Sequence, residues 1–156
     1  MTKNKQDDAM YKIMVEFSKT VEMFGLSPLE ARLFAYLYLE EKPLTLDDMS
    51  EALGKSKTSM STSIRTLAEL NFVTRVWKKG VRKDLYEAND QLYKSFMNVY
   101  INKWIDAANN QKDSLLQINN ELRNVESEDT VISKRLNNII DFHKQIEKSF
   151  RGMKQI

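Results

Sequence analysis

The sequence of 156 residues predicts a mainly α-helical fold with one short β-hairpin. Three observations support this class. Apolar residues recur at three- and four-residue spacing through most of the chain, which is the period of amphipathic helices. Serine or threonine precedes several of these segments, as helix caps do. The period changes to that of strands after Phe72, where Lys79-Gly80 marks a turn.

The first predicted helix begins near Asp7 or Asp8 and ends at Gly25, because glycine readily adopts the left-handed backbone that terminates helices. Its apolar residues recur on one helical face, and they are Met10, Ile13, Met14, Phe17, Val21 and Phe24. This stripe predicts that the helix packs against another element or another copy of the chain.

Capping boxes start the next two predicted helices. Ser27 and Glu30 frame the second helix, with Pro28 in the first helical position that proline favours. This helix runs to about residue 41 and is apolar on most faces, so it should lie deep. Thr45 and Asp48 frame the third helix.

A tight turn at Gly54 leads into a fourth helix, which Ser56 caps and which ends near Leu70. Its apolar residues define an inward face made by Met60, Ile64 and Leu67. The outward face is then Lys57, Thr58, Ser61, Thr62 and Arg65. Two closely spaced helices of this kind form a helix-turn-helix.

A β-hairpin follows, with strands predicted near residues 72–78 and 82–88. Its tip is Lys79-Gly80-Val81. Trp77 is predicted to be the hydrophobic root of the hairpin rather than a residue that stacks on a base. A helix-turn-helix with such a hairpin beside it is a winged helix-turn-helix.

Two further helices complete the chain, and both show the alternating three- and four-residue spacing of heptad seams. The first seam is Met97, Ile101, Trp104, Ala108, Gln111, Leu115, Ile118, Leu122 and Val125, with Gln111 its polar member. The second is Ile132, Leu136, Ile139, His143, Ile146, Phe150 and Met153. A break is predicted at Ser127-Glu128-Asp129, and His143 is interpreted as an interface histidine rather than a ligand.

These elements predict one small domain that carries extra oligomerisation helices. We expect an N-terminal dimerisation helix at residues 1–25, a winged helix-turn-helix at 26–90 and C-terminal dimerisation helices at 91–156. Because the apolar stripes exceed what the small module can bury, a homodimer is predicted.

Composition argues against catalysis. Cysteine is absent and a single histidine cannot build a zinc site with His or Cys partners. Four scattered glycines form no phosphate loop, and no serine has the sequence of a nucleophile elbow, although spacing alone leaves a Ser-His-Asp arrangement open. We expect no enzyme activity, no metal, no cofactor, no membrane contact and a cytoplasmic location.

Positive charge is concentrated between residues 55 and 83. That window holds eight basic residues and one acidic residue, a net charge of +7 in a chain whose total is +2. A basic footprint on an otherwise acidic body suits phosphate recognition, because neutralised phosphates release counterions. Double-stranded DNA is therefore the predicted partner, and a winged helix that binds protein is the alternative.

The predicted DNA-binding residues lie on the fourth helix and the hairpin. Small hydroxyl residues let the helix approach the major groove, and Arg65 can reach a guanine edge or a phosphate. The hairpin cations can hold the backbone or enter the minor groove. The set is Lys55, Ser56, Lys57, Thr58, Ser59, Ser61, Thr62, Arg65, Lys78, Lys79, Arg82 and Lys83.

At residues 54–61 and 76–86, and also at Phe24-Gly25 and residues 43–49, the sequence resembles the GbsR branch of the MarR-type winged-helix regulators. The likeness covers residues 10–105, while the C-terminal helices match in pattern only. The resemblance implies a homodimeric transcriptional repressor of genes for glycine betaine synthesis or for uptake of compatible solutes and choline. Two copies predict a near-palindromic operator.

Some members of that branch respond to choline. A quaternary ammonium cation needs aromatic faces, because it cannot donate a hydrogen bond. The candidate residues are Tyr36, Tyr38, Tyr93, Phe96, Tyr100 and Trp104. Core packing is the alternative for these side chains. A regulator without an effector and an activator also stay open, since operator position sets the sign of regulation.

Overall fold

The computed structural model describes residues 2–125 and 130–154 and confirms the predicted fold class. Its elements, in order, are α1 Thr2–Glu22, α2 Pro28–Glu40, α3 Leu46–Leu53, α4 Lys57–Glu69, β1 Val73–Val76, β2 Leu85–Ala88, α5 Leu92–Val125 and α6 Val131–Met153. The chain divides into two compact units, Met1–Phe96 and Met97–Ile156. No helix within the described ranges is long and apolar enough to cross a lipid bilayer.

The capping boxes predicted from the sequence are confirmed. At the start of α2 the Glu30 N–H donates to Ser27 Oγ over 3.2 Å, and the Ser27 N–H donates to a Glu30 carboxylate oxygen over 2.9 Å. Thr45 and Asp48 repeat this arrangement at α3, with distances of 3.1 and 3.0 Å. These local bonds satisfy N–H groups that a helix start otherwise leaves unpaired.

The predicted start of the first helix near Asp7 or Asp8 is wrong, since α1 begins at Thr2. Residues 4–9 are exposed, so burial does not explain the extra length. No glycine or proline interrupts the chain before Gly25, and an ion pair of 3.1 Å between Lys12 and Asp8 supports the helix at i, i+4 spacing. The helix therefore extends beyond its apolar stripe.

A cluster of phenylalanine rings forms the core of the first unit. Phe72 and Phe96 stack with their centroids 4.1 Å apart, and Phe34 of α2 meets the two rings at 6.0 and 5.1 Å. Phe24 lies 4.9 Å from Phe96, and Phe17 of α1 lies 6.2 Å from Phe34. The cluster thus joins α1, α2, the residue before β1 and the second turn of α5.

The two strands pair antiparallel from Val73↔Ala88 to Val76↔Leu85, so they are shorter than predicted. Leu44 extends this small sheet through two backbone hydrogen bonds with Tyr86, of 2.8 and 2.9 Å. We call β1, β2 and the tip between them the wing. Its tip turns at Gly80, whose φ of 84° lies in the left-handed region that favours glycine.

The prediction that Trp77 forms the root of the wing is wrong. Its side chain is 81% exposed, while Phe72, Val73 and Leu85 are buried and form that root. Trp77 follows the last paired position, Val76↔Leu85. It therefore lies beyond the end of the ladder, where no facing strand covers it.

Helices α5 and α6 form an antiparallel hairpin in the second unit. Lys112 Nζ and a Glu147 carboxylate oxygen are 2.7 Å apart and largely shielded from solvent, and Trp104 stacks on Phe150 with centroids 5.6 Å apart. The predicted break at Ser127-Glu128-Asp129 lies outside the described residues.

The predicted seams are only half right. On α5 the buried residues include Ile101, Ile105, Ala108 and Asn119, while the predicted members Trp104, Gln111 and Ile118 are exposed. On α6 Leu136 and Ile140 are buried, while Ile132, Ile139 and Met153 are exposed. The predicted pattern and the buried pattern share every seventh residue, such as Ile101 and Ala108 on α5, and differ in the residues between them. The hairpin buries the flank that contains Ile105, whereas the prediction placed the flank that contains Trp104 in the interface. The buried polar member is Asn119, not Gln111.

Candidate nucleic-acid interface

Helix α4 presents a polar face because its apolar side chains are anchored in the core. Met60, Ile64 and Leu67 are buried. On the opposite side the structure exposes Lys57, Thr58, Thr62 and Arg65, as predicted, while Ser59 and Ser61 are half-buried. The exposed face is therefore narrower than the run of hydroxyl residues in the sequence.

The hydroxyl groups of α4 are used locally as well as displayed. Ser56 Oγ accepts the Ser59 N–H over 3.1 Å and caps the helix. Thr62 Oγ1 donates to the Thr58 carbonyl over 3.1 Å, which is the back-bonding typical of threonine inside helices. Each such oxygen keeps a lone pair that can accept from an incoming partner.

The turn that aims α4 depends on Gly54, which has a φ of 64°. The Lys55 N–H donates to the Ser50 carbonyl over 3.3 Å, and the Ser50 hydroxyl donates back to the Lys55 carbonyl. These bonds close the end of α3 and place Lys55 and Ser56 in the connection before α4. Both side chains are exposed there.

The wing carries a group of free cations. Lys78, Lys79 and Arg82 are exposed, and none of them has a carboxylate within ion-pair distance in the part of the chain that the structure describes. Arg75, by contrast, is paired with Asp84 across the wing. The tip therefore presents uncompensated positive charge.

Asp47 connects the wing to the start of α4. One carboxylate oxygen lies 2.7 Å from Lys83 Nζ, and the other lies 3.4 Å from Lys57 Nζ. The hydrogen bond from Lys83 lowers the pKa of Asp47 most, and the hydrogen bond from Lys57 lowers it further. The bond between Lys83 and Asp47 also raises the pKa of Lys83. We call this arrangement the Asp47 bridge.

Nothing in the sequence predicts this bridge, because only the neighbouring Asp48 has the spacing of a capping partner for Thr45. Asp48 fills the capping box, so Asp47 is left free to bind elsewhere. Its partner Lys83 is 36 positions away in the sequence, and no local pattern links the two residues.

The aromatic effector candidates of the first unit take different places. Phe96 belongs to the buried ring cluster, Tyr38 lies 5.9 Å from Phe17, and Tyr93 is 58% exposed. Tyr36 lines a cavity of about 440 Å³ together with three acidic residues, Glu40, Asp48 and Glu51, and one basic residue, Lys42. Burial raises the pKa of Tyr36, and the negative charges of Glu40, Asp48 and Glu51 raise it further.

The candidates of the second unit, Tyr100 and Trp104, are neighbours on α5. Their ring centroids are 6.2 Å apart, and both rings contact Phe150 of α6. Trp104 lies almost parallel to Phe150, with an interplanar angle of 6°. One face of its indole is therefore already covered within the hairpin.

Known proteins share this architecture. Residues 21–91 match the family model described as the sugar-specific transcriptional regulator TrmB. A solved structure described as a transcriptional regulator superposes with a TM-score of 0.65 at 18% identity, and the match covers 94% of this chain and 96% of that one. The shared fold is a winged helix with flanking helices.

Two curated relatives come from Bacillus subtilis (strain 168). The HTH-type transcriptional repressor OpcR is 32% identical over 110 residues, which are 70% of this chain and 60% of OpcR. The HTH-type transcriptional repressor GbsR is 26% identical over 137 residues, which are 88% of this chain and 76% of GbsR. The match thus spans less than two thirds of OpcR, and the likeness to GbsR is a distant one.

The module at residues 21–91 is therefore a winged helix of the kind found in DNA-binding transcriptional regulators. The assignment to the GbsR branch, made from sequence motifs, stays a prediction.

The Asp47 bridge predicts a shifted titration. In the intact protein the Asp47 carboxyl should titrate below its ordinary range, so the bridge is present at neutral pH and is lost as the pH falls through that lowered pKa. In Lys83→Met the titration should move back towards the ordinary value. Carboxyl ¹³C NMR measures it, and Arg75→Met is the matched control. Equal Asp47 titrations in wild type and Lys83→Met would contradict the bridge.

Proposed function

We propose that this protein is a homodimeric transcriptional repressor that binds double-stranded DNA through α4 and the wing. The observation that carries the proposal is the presence, on one module, of the exposed polar face of α4 and the free cations Lys78, Lys79 and Arg82. α4 would enter the major groove, while the wing would lie along the adjoining backbone or minor groove. The relatives named as repressors support the sign of regulation.

The division of labour between the two elements follows from their side chains. Arg65 is a long, exposed donor on α4 and can bind the edge of a guanine bidentately. The wing lysines are point charges that neutralise phosphates and carry no sequence information. The remaining contacts proposed for phosphates and the groove come from Lys55, Ser56, Lys57, Thr58, Ser59, Ser61, Thr62 and Lys83.

Dimerisation is proposed from the uncovered flank of the α5–α6 hairpin. Ile118 on α5 and Ile139 on α6 are each 46% exposed, and Phe142 and Ile132 are exposed beside them. In an antiparallel helix pair, corresponding flanks lie on the same side, so these residues form one apolar face. A second copy presents the same face, as a two-fold interface requires. The dimer would then read a near-palindromic operator.

The effector that we propose is choline or a related quaternary ammonium compound, and the regulated genes would serve glycine betaine synthesis or the uptake of compatible solutes. The Tyr36 cavity supports a cationic ligand, since Tyr36 and three acidic residues, Glu40, Asp48 and Glu51, line it together with one basic residue, Lys42. Aromatic faces and negative charge are the two features that attract a cation without hydrogen-bond donors. Ligand binding would shift the dimer towards a conformation with a different spacing of the α4 helices.

Substitution of Arg65 and substitution of Lys79 should change DNA binding in different ways. Arg65→Ala should cost about 1–3 kcal/mol on the operator and relax base preference, whereas Lys79→Ala should weaken all duplexes alike and reduce the salt slope by about one. Fluorescence anisotropy, with duplexes chosen by footprinting and with scrambled duplexes, measures both effects. Lys144→Ala on α6 is the control. Duplex binding that neither Arg65→Ala nor Lys79→Ala alters would refute the proposed roles.

Self-association should depend on the apolar flank. Wild type should sediment as a dimer, and the double substitution Ile118→Arg with Ile139→Arg should sediment as a monomer, because burying two unpaired charges in an interface is unfavourable. Gln145→Arg, which changes an exposed position on another side of α6, should stay dimeric. Sedimentation velocity and circular dichroism together separate dissociation from unfolding. A monomeric wild type would remove the proposal.

Choline should release or absorb heat when it is titrated into the protein. Glycine betaine should bind more weakly, because its carboxylate meets the acids around Tyr36. Glu51→Gln should weaken choline about fivefold, which is the loss of roughly 1 kcal/mol of attraction at a solvent-exposed distance of several ångströms. The same titration of Trp104→Ala tests whether choline binds instead at the second aromatic group, which is Tyr100 and Trp104 on α5. If calorimetry shows no heat with choline, the effector proposal fails, and the DNA-binding proposal is unaffected.

A further inference from the structure

We propose that Trp77 is a DNA-contacting residue, whose indole ring packs into the minor groove beside the cations of the wing. This inference rests on the proposed DNA-binding function and adds to it an apolar contact. The sequence favoured a structural role for Trp77, and the structure removes that role by leaving the side chain 81% exposed.

The position of Trp77 makes its exposure a property of the wing. The strand ladder ends at Val76↔Leu85, and the tip closes again at the hydrogen bond of 3.1 Å from the Val81 N–H to the Lys78 carbonyl. Trp77 lies between these two fixed points, so its backbone is held while its ring is uncovered. No other aromatic ring contacts it within the described residues.

The positive charges that flank Trp77 in the sequence of the wing indicate the kind of partner. Lys78 and Lys79 follow Trp77 directly, and Arg82 follows the tip, where it lines a pocket with Lys57 and Lys83. None of Lys78, Lys79 and Arg82 has a carboxylate within ion-pair distance in the described ranges. A second copy of the wing would be repelled by this charge. The partner must be a polyanion that also offers flat or apolar surface, and duplex DNA offers both in its phosphates, deoxyriboses and base edges.

Duplex DNA accommodates such a side chain in a defined way. Proteins that enter the minor groove use cations to follow its walls and insert apolar side chains against or between base steps. Trp77 can fill the second role while Lys78, Lys79 and Arg82 fill the first. Because the indole is uncharged, its contribution should not depend on counterion release.

The experiment uses the full-length protein labelled with 5-fluorotryptophan. Its two tryptophans should give two ¹⁹F signals, and the signal that is missing from Trp77→Phe belongs to Trp77. On addition of the operator duplex, the Trp77 signal should shift and lose its sensitivity to exchange of H₂O for D₂O. The Trp104 signal serves as the internal reference for a change elsewhere in the molecule.

Affinity gives a second measurement. Trp77→Ala should weaken duplex binding about tenfold, by analogy with the loss of an aromatic ring that stacks on a base of single-stranded DNA. The salt slope should stay that of wild type, whereas Lys78→Ala should lower it. Trp77→Phe should restore most of the affinity, because the phenyl ring still packs. Helical circular dichroism identifies any variant that does not fold.

The outcomes separate this inference from the function on which it rests. Duplex binding with an unchanged Trp77 signal and unchanged affinity for Trp77→Ala overturns the inference and leaves the proposed function standing. Binding to no duplex at low salt removes the proposed function itself. A Trp77 signal that shifts with anionic phosphatidylglycerol vesicles and not with the duplex assigns the ring to a lipid surface, and it overturns the inference.

Discussion

The stacked rings of Phe72 and Phe96, with Phe34 against both, are the contact on which the first unit depends. Phe34 comes from α2, Phe72 from the connection between α4 and β1, and Phe96 from the second turn of α5. Three segments that are distant in the sequence are thereby held at one point. Because α4 ends and the wing begins next to that point, the rings determine where both elements of the candidate interface emerge.

Electrostatics then organises the surface that this core positions. The Asp47 bridge holds Lys57 and Lys83, so one carboxylate ties the start of α4 to the wing. The cations at the tip have no such partner in the described part of the chain and keep their charge for an external anion. An exposed ion pair contributes little stability by itself. Its effect here is to limit the positions of two flexible lysines before any partner arrives.

The α5–α6 hairpin buries only part of the apolar side chains that its two helices carry. Each helix carries more apolar positions than one partner helix can cover, so the hairpin buries one flank and leaves Ile118, Ile139 and their neighbours in solvent. An uncovered apolar face of this kind is typical of chains that associate. The same helices can therefore serve both as the fold of one unit and as a surface for a second copy.

Local features of the fold could be predicted from the sequence, because the groups that decide them are close along the chain. The caps at Ser27, Thr45 and Ser56 depend on residues three positions away, and the left-handed backbone at Gly54 depends on glycine itself. The net positive charge of residues 55–83 can be read from the sequence alone. Helix order, fold class and most of the outward face of α4 followed from these features, while Ser61, predicted on that face, is half-buried.

The tertiary structure decided whatever depends on distant neighbours. Two heptad patterns share residues on α5, and only the packing of α6 selects the flank with Ile105 over the flank with Trp104. Phe96 became a core residue because Phe34 and Phe72 arrive beside it, and Trp77 became a surface residue because the ladder ends at Val76. Hydrophobicity states that a side chain favours burial, but whether it is buried depends on which element folds against it.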